Sequence, residues 1–178
     1  MQIWWQTGMP LRLGVTDDPE FCAGDGLACD AALFDGVIWL HERMFALPGW
    51  EAGADWFLKH EILHAKIAMA RMATWSWLGN RRLKILDHAG RDALRLVHST
   101  PSLKDLSVLL TAYRKAGLDE VEEALVRYVQ MMDAGEGIPV TGSLLKARRI
   151  IKTSWGWYTP NLFRIALWLP VCGWTVRH

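Results

Sequence analysis

Cysteine is scarce in this sequence, and its three cysteines are poorly spaced for a metal or redox site. Cys22 and Cys29 are too far apart for a CxxC motif, and Cys172 makes the number odd. We therefore expect reduced cysteines and a reducing compartment, the cytoplasm. The first ten residues also lack the basic stretch before an apolar run that marks a signal peptide, which favours the same compartment.

Long hydrophobic runs are missing as well. A membrane-spanning helix needs about 18 apolar residues in succession, whereas the longest candidate here, residues 165–174, is interrupted by Pro170 and Gly173. We expect a soluble protein without a transmembrane segment. The 178 residues, of which 51% are hydrophobic and 22% charged, predict one globular domain that is long enough to bury a core.

The C-terminal part has no acidic residue after Glu136. The chain up to Glu136 carries 19 acidic and 14 basic side chains, a net charge of −5, whereas the rest carries six bases and no acid. Four of the 11 tryptophans also lie there, so the segment is too apolar for a free arm. We expect residues 136–178 to form a basic, Trp-rich tail that packs on the acidic body, with binding of a protein partner as the alternative and no nucleic acid partner. The four tryptophans are Trp155, Trp157, Trp168 and Trp174.

Short apolar segments separated by turn-forming residues make up residues 1–50. This pattern predicts a small twisted sheet of short strands. After about Ala52 the apolar residues recur at intervals of three and four, which predicts an amphipathic helix that Gly79 and Asn80 would end or bend. Residues 51–135 are therefore expected to be helical, and the fold class is α+β. The strand segments are residues 2–5, 11–15, 32–40 and 43–47.

Four more helices are predicted downstream. Ser102 with Asp105, and Asp119 with Glu122, have the spacing of capping boxes that begin the second and third of them. A glycine follows each of these two helices, as is typical of a helix end. The four helices cover residues 81–98, 103–116, 120–132 and 143–152.

The predicted first helix contains the sequence His60-Glu61-Ile62-Leu63-His64. Residues i and i+4 lie on one face of a helix, so His60 and His64 can direct both imidazoles to one point, as zinc requires. Glu61 lies beside His60, where its carboxylate can reach a metal-bound water without being a ligand. The alternative is a buried helix in which these polar groups satisfy one another.

The motif and the order of the elements resemble the zincin superfamily of metallopeptidases over residues 31–132. That resemblance implies a small sheet followed by an active-site helix, a zinc ion, and Glu61 as general base. The long metzincin motif would need glycine and histidine where this chain has Ile67 and Ala70, so that branch is excluded. Neither of the first two cysteines lies in a sequence like the ligand motif of peptide deformylases.

The remaining gluzincin-like pattern implies a third ligand from a later glutamate. Glu123, followed by Ala124, is similar to the Asn-Glu-Ala stretch around the third ligand of thermolysin-like enzymes and is our first choice, with Glu122 second. Arg127 stands where those enzymes place an acid that supports a histidine ligand. The rival ligands are His88 and His98. The acidic cluster can also be explained as a solvated first turn that the helix dipole favours.

We therefore expect a zinc-dependent hydrolase, a small intracellular metalloendopeptidase of the kind found in phages and mobile elements, acting on a protein or peptide. The second hypothesis is a zincin-shaped interaction module that acts through its basic, Trp-rich tail, with the metal structural or absent. In the enzyme, the tail would line one side of the substrate cleft. Asp87 or Asp92 could support a histidine as an outer-shell partner. The candidate oxyanion donors are Tyr113, His88, His98 and Arg127.

Overall fold

The computed structural model describes residues 12–19, 21, 30–34, 37–72 and 77–153. The predicted strand at residues 2–5, the three cysteines and the four tryptophans of the tail lie outside the described residues. The strands are β1 (Arg12–Thr16), β2 (Ala31–Phe34) and β3 (Val37–His41). The helices are α1 (Trp50–Met72), α2 (Trp77–Ser99), α3 (Lys104–Lys115), α4 (Glu120–Ala134) and α5 (Gly142–Thr153). A small sheet followed by five helices confirms the α+β class.

The three strands form one mixed sheet. β3 lies in the middle, parallel to β1 and antiparallel to β2. Ile38, the second residue of β3, is opposite Leu13 of β1 and Leu33 of β2, and its side chain is fully buried. The predicted sheet is thus confirmed, although the apolar segment at residues 32–40 contributes to two strands.

The prediction of a strand at residues 43–47 is wrong. Glu42–Ala46 is a 3-10 helix, because the His41 ring nitrogen Nδ1 accepts a hydrogen bond from the Arg43 backbone N–H and turns the chain. The turn buries Met44 against the sheet, which an extended segment at this position would not do.

Two predicted helix boundaries are also wrong. Gly79 and Asn80 lie inside α2, because a glycine in a helix costs only about 1 kcal/mol. Ser102 is not a helix cap. It lies in the 3-10 helix Pro101–Leu103, and Leu103, the residue before α3, has no side-chain capping bond. In contrast, the Asp119 carboxylate caps α4 as predicted, and Gly117 and Gly135 follow α3 and α4 with positive φ.

α1 lies between the sheet and the other helices and contributes to two hydrophobic cores. Ile62 and Ala65 pack with the sheet residues, whereas Leu63 and Ile67 join the core formed by α2–α5. The HExxH sequence is therefore held from both sides. No helix within the described ranges is both long and apolar enough to cross a membrane.

Helices α2 and α4 approach each other closely at Gly90. A Cβ atom at this position would lie 2.7 Å from Val121 Cγ1 and 2.8 Å from the Val121 carbonyl oxygen. Only glycine permits this spacing, which explains a residue that weakens the helix pattern in the sequence. Val121 directly precedes Glu122 and Glu123, so the close contact is adjacent in the chain to these two carboxylates.

The described part of the basic tail packs on the rest of the protein. Arg148 Nε and Lys152 Nζ lie 2.6 and 2.9 Å from the Asp133 carboxylate, so basic residues of α5 pair with an acid of the body. The apolar face of α5 is part of the larger core. Its buried side chains are Leu144, Ala147 and Ile151.

Candidate metal centre

His60 and His64 lie one turn apart on α1 and direct their rings to the same point. Their Nε2 atoms are 3.2 Å apart, as the i, i+4 spacing predicts. The His60 side chain is buried, with a relative exposure of 4%, and His64 is partly buried. The helix backbone thus places two nitrogen donors side by side beneath the surface.

Glu123 of α4 completes the group with a carboxylate oxygen. Its Oε2 atom lies 3.3 Å from His60 Nε2 and 3.1 Å from His64 Nε2, and the residue is only 2% exposed. The group formed by His60, His64 and Glu123 could hold a metal ion. Donors bound to one tetrahedral zinc at about 2.0–2.2 Å are about 3.3–3.6 Å apart, which is close to the separations seen here. The structure thus brings together the three residues chosen from the sequence.

The other nitrogen of each ring is held by a polar side chain of α4. His64 Nδ1 donates to Glu122 Oε1 at 2.7 Å, and His60 Nδ1 donates to Gln130 Oε1 at 3.2 Å. These bonds leave both Nε2 atoms directed at Glu123. From the sequence, Glu122 was expected as part of the helix cap and as the second choice for the third ligand, whereas here it bonds to a histidine ligand. Gln130 was not predicted. The spacing of Gln130, seven residues after Glu123 and therefore on the same helix face, was the available signal.

Arg127 engages the second oxygen of Glu123. Its Nε donates to Oε1 at 2.6 Å, which leaves Oε2 for a metal. The guanidinium carbon also lies 5.1 Å from the centre of the Trp56 ring, and Trp56 stacks on His60 at 5.6 Å between centroids. Gln130 Nε2 donates to the backbone oxygen of Trp56 at 2.9 Å. Arg127, Trp56 and Gln130 therefore support His60 and Glu123 from outside the donor group.

Glu61 is buried beside the donor group but is not part of it. Burial raises the pKa of its carboxyl, while the charges of His64 and His60 and a hydrogen bond from the Leu33 backbone oppose the increase. The carboxyl is thus poised to exchange a proton nearer neutral pH than an exposed glutamate. Leu33 belongs to β2, so the sheet lies directly beside this carboxyl.

Two of the four candidate oxyanion donors lie near the centre. Burial raises the pKa of Tyr113 and the nearby Glu123 charge raises it further, while the charge of Arg127 and the hydrogen bond that it donates to Tyr113 oppose this increase. The other two, His88 and His98, are not in the donor group found among the described residues. His88 has a side chain that is 71% exposed, and His98 contacts the Ser107 hydroxyl. Asp92 is near His88 but bonds to Ser143, away from the centre.

The charges around the donor atoms of His60, His64 and Glu123 favour a proton among them. Burial opposes a charge on His64, but hydrogen bonds to Glu122 and Glu123 outweigh this and raise its pKa to about 10. Burial would raise the pKa of Glu123, yet hydrogen bonds with His60 and His64 and the charge of Arg127 hold it well below its usual range. A metal must therefore displace a proton from His64 in order to bind.

The shifted pKa values of His64 and Glu123 predict how the free energy of unfolding depends on pH in the presence of a chelator. The raised pKa of His64 contributes stability that is fully present below about pH 6.5 and is lost as the pH rises toward 10. The lowered pKa of Glu123 contributes stability that is present above its ordinary pKa of 4.5 and is lost in acid. Urea unfolding in the presence of a chelator should therefore show a fall in the free energy of unfolding between pH 6.5 and 10. A His64→Gln variant should show a flatter profile, and a level profile in the unchanged protein would contradict the assignment.

A cleft of about 650 Å³ lies next to the centre, between α1 and the C-terminal half of α4. Trp56, Arg127 and Gln130 form part of its wall, so it borders the residues that support His60 and Glu123. The donor residues themselves do not line it. Its other lining residues are Ala52, Asp55, Lys59, Ile62, Leu63, Lys66, Leu106, Met131, Asp133, Ala134 and Glu136.

Comparison with known proteins gives no relative. No family model matches the chain, and neither a curated protein nor a solved structure matches it. The resemblance to zincins stays a prediction that rests on the motif and on the geometry of the described residues.

Proposed function

We propose that this protein is a zinc-dependent hydrolase, a small metalloendopeptidase. The observation that carries the proposal is the convergence of His60 Nε2, His64 Nε2 and Glu123 Oε2 at separations of 3.1–3.3 Å, with Glu61 outside the group. Two imidazoles and one carboxylate are a donor set of catalytic zinc sites, in which the fourth position stays open for water or substrate.

The residues present can perform the proton transfers of hydrolysis. Zinc, when bound, would act as a Lewis acid and lower the pKa of the attacking water. Glu61 accepts the proton of that water and delivers it to the leaving amine, a role for which its raised pKa is suited. Tyr113 and Arg127 are the candidates for stabilising negative charge, since Arg127 donates a hydrogen bond to Tyr113, which lies near the donor carboxylate Glu123.

The position of β2 favours a peptide substrate. Within the described residues, β2 is an edge strand of the sheet, with a partner on only one side. Its residue Leu33 hydrogen-bonds to Glu61 through the backbone. An extended peptide can add to a sheet edge through main-chain hydrogen bonds, which would bring its amide bonds near Glu61.

The proposal predicts about one zinc ion per chain. Because the donor side chains project from helices that pack in hydrophobic cores, chelation should remove the ion without unfolding the sheet. Metal analysis of protein purified without chelator tests the first statement, and circular dichroism before and after chelation tests the second. A His60→Ala, His64→Ala double variant should contain no zinc. If the unchanged protein also contains none, even after zinc is added back, the proposal fails.

A further inference from the structure

The cleft between α1 and α4 exposes apolar surface that the described residues leave uncovered. Trp56 lines it and remains 39% exposed, and Ala52 and Ala134 at its edge are exposed too. Ile62, Leu63, Leu106 and Met131 add further apolar lining. An exposed apolar cleft of this size is typical of a surface that binds another segment or molecule.

The end of α5 brings the rest of the chain to this cleft. Lys152, one residue before the last described residue, bonds at 2.9 Å to Asp133, which lines the cleft. Lys66, another lining residue, is near enough to Lys152 for their charges to interact, and burial together with this interaction lowers the pKa of Lys66. The 25 residues that follow Thr153 therefore begin at the rim.

The composition and spacing of this following segment match the cleft. Trp155 and Trp157 are two residues apart, so in an extended segment both indoles point to the same side. Residues 52 and 66, at the two ends of the α1 lining, are about 21 Å apart along the helix, a distance that six or seven extended residues span. The cleft is lined by three acids and three bases and has no net charge, so a segment with two arginines and no acid meets no net repulsion there.

We propose that residues 154–178 occupy the cleft between α1 and α4 and insert Trp155 and Trp157 into it. The segment then covers Trp56 and reinforces the wall that supports His60. The inference depends on the cleft and on the chain path, and not on the proposed hydrolase activity. Its test accordingly uses neither zinc nor turnover.

The test is the reactivity of single cysteines in the full-length protein with its three native cysteines changed to serine. Ala52→Cys and Ala134→Cys report on the cleft, and Val108→Cys, at a site that is 63% exposed and outside the lining, is the control. Both cleft cysteines should react with a thiol reagent at least about tenfold more slowly than the control, because they react only when the segment opens. Equal rates at all three positions would overturn the proposal.

Two further measurements identify the occupant. Trp155→Ser with Trp157→Ser should restore fast reaction at both cleft positions, whereas Trp50→Ser, outside the cleft, should not. A short bifunctional maleimide should link Trp157→Cys to Ala52→Cys within one chain but should not link it to Val108→Cys, which gives an answer even if the double tryptophan variant is insoluble. Protection that grows with protein concentration, or a link only between chains, would identify a second copy as the occupant and overturn the proposal.

Discussion

Replacing Glu61 by glutamine should lower the rate of peptide hydrolysis by about 10²–10⁴-fold, the usual contribution of a general base. Glutamine keeps the shape of the side chain but accepts no proton at neutral pH. Because Glu61 is outside the donor group, the variant should keep its zinc. Mass spectrometry of a digested peptide library measures turnover, and metal analysis of the same samples measures zinc.

A matched control for this experiment is Glu51→Gln. Glu51 is an exposed glutamate on the same helix, so its replacement should change neither zinc content nor turnover. The alternative hypothesis, an interaction module that acts through the basic tail, predicts that Glu61→Gln also loses nothing. Full turnover in the Glu61 variant would exclude the base, and loss of zinc would show that Glu61 helps to hold the metal.

Replacing Glu123 by alanine should have the largest effect on zinc binding among the carboxylates of α4. The change removes a donor oxygen and leaves the partly buried Arg127 without its 2.6 Å partner. We expect the loss of zinc affinity to exceed the roughly 10–100-fold that removal of an outer-shell partner costs. Competition with a coloured chelator measures the dissociation constant.

The neighbouring residues of α4 provide the comparison. Glu122→Ala should fall within that 10–100-fold range, because it removes the hydrogen bond to His64 Nδ1 but no donor. The sequence alone predicts a smaller effect, a weaker helix start worth about 1 kcal/mol, but the Asp119 carboxylate already caps this helix. Glu120→Ala, in the same turn and outside the donor group, should leave affinity unchanged. A larger loss in the Glu122 variant than in the Glu123 variant would reverse our assignment.

The sequence predicts features that depend on local spacing. The fold class, the helix that carries His60 and His64, and the cap at Asp119 all follow from residues within one or two turns of each other. The choice of Glu123 came from the resemblance, and the structure places this residue beside both histidines. The prediction that Gly79 and Asn80 end or bend the first helix was wrong, because the cost of one glycine in a helix, about 1 kcal/mol, does not end it.

The hydrogen bonds that hold the histidine ligands were not predicted, because they join residues that are distant in the sequence. Gln130 contacts His60 across 70 residues, and its bond to the Trp56 backbone spans 74. Such pairs arise from the way α4 crosses α1. The spacing within α4 places Gln130 on the same face as Glu123, but it does not show that this face meets His60 and Trp56. The stacking of Trp56 on His60 is an exception, since the i, i+4 spacing was visible but was assigned to the apolar face of the helix.

Because of the tight contact at Gly90, we expect metal binding to depend on a residue that contacts none of the ligands. Any side chain there would push against the Val121 backbone, which continues directly into Glu122 and Glu123, while His60 and His64 stay fixed to α1. A displacement of a few tenths of an ångström is large compared with the tolerance of a metal–ligand bond. A saturation mutagenesis scan that selects for zinc content would therefore rank Gly90 with the ligands, and a designer who grafts this centre onto another scaffold would have to transfer α2 along with the two helices that carry the donors.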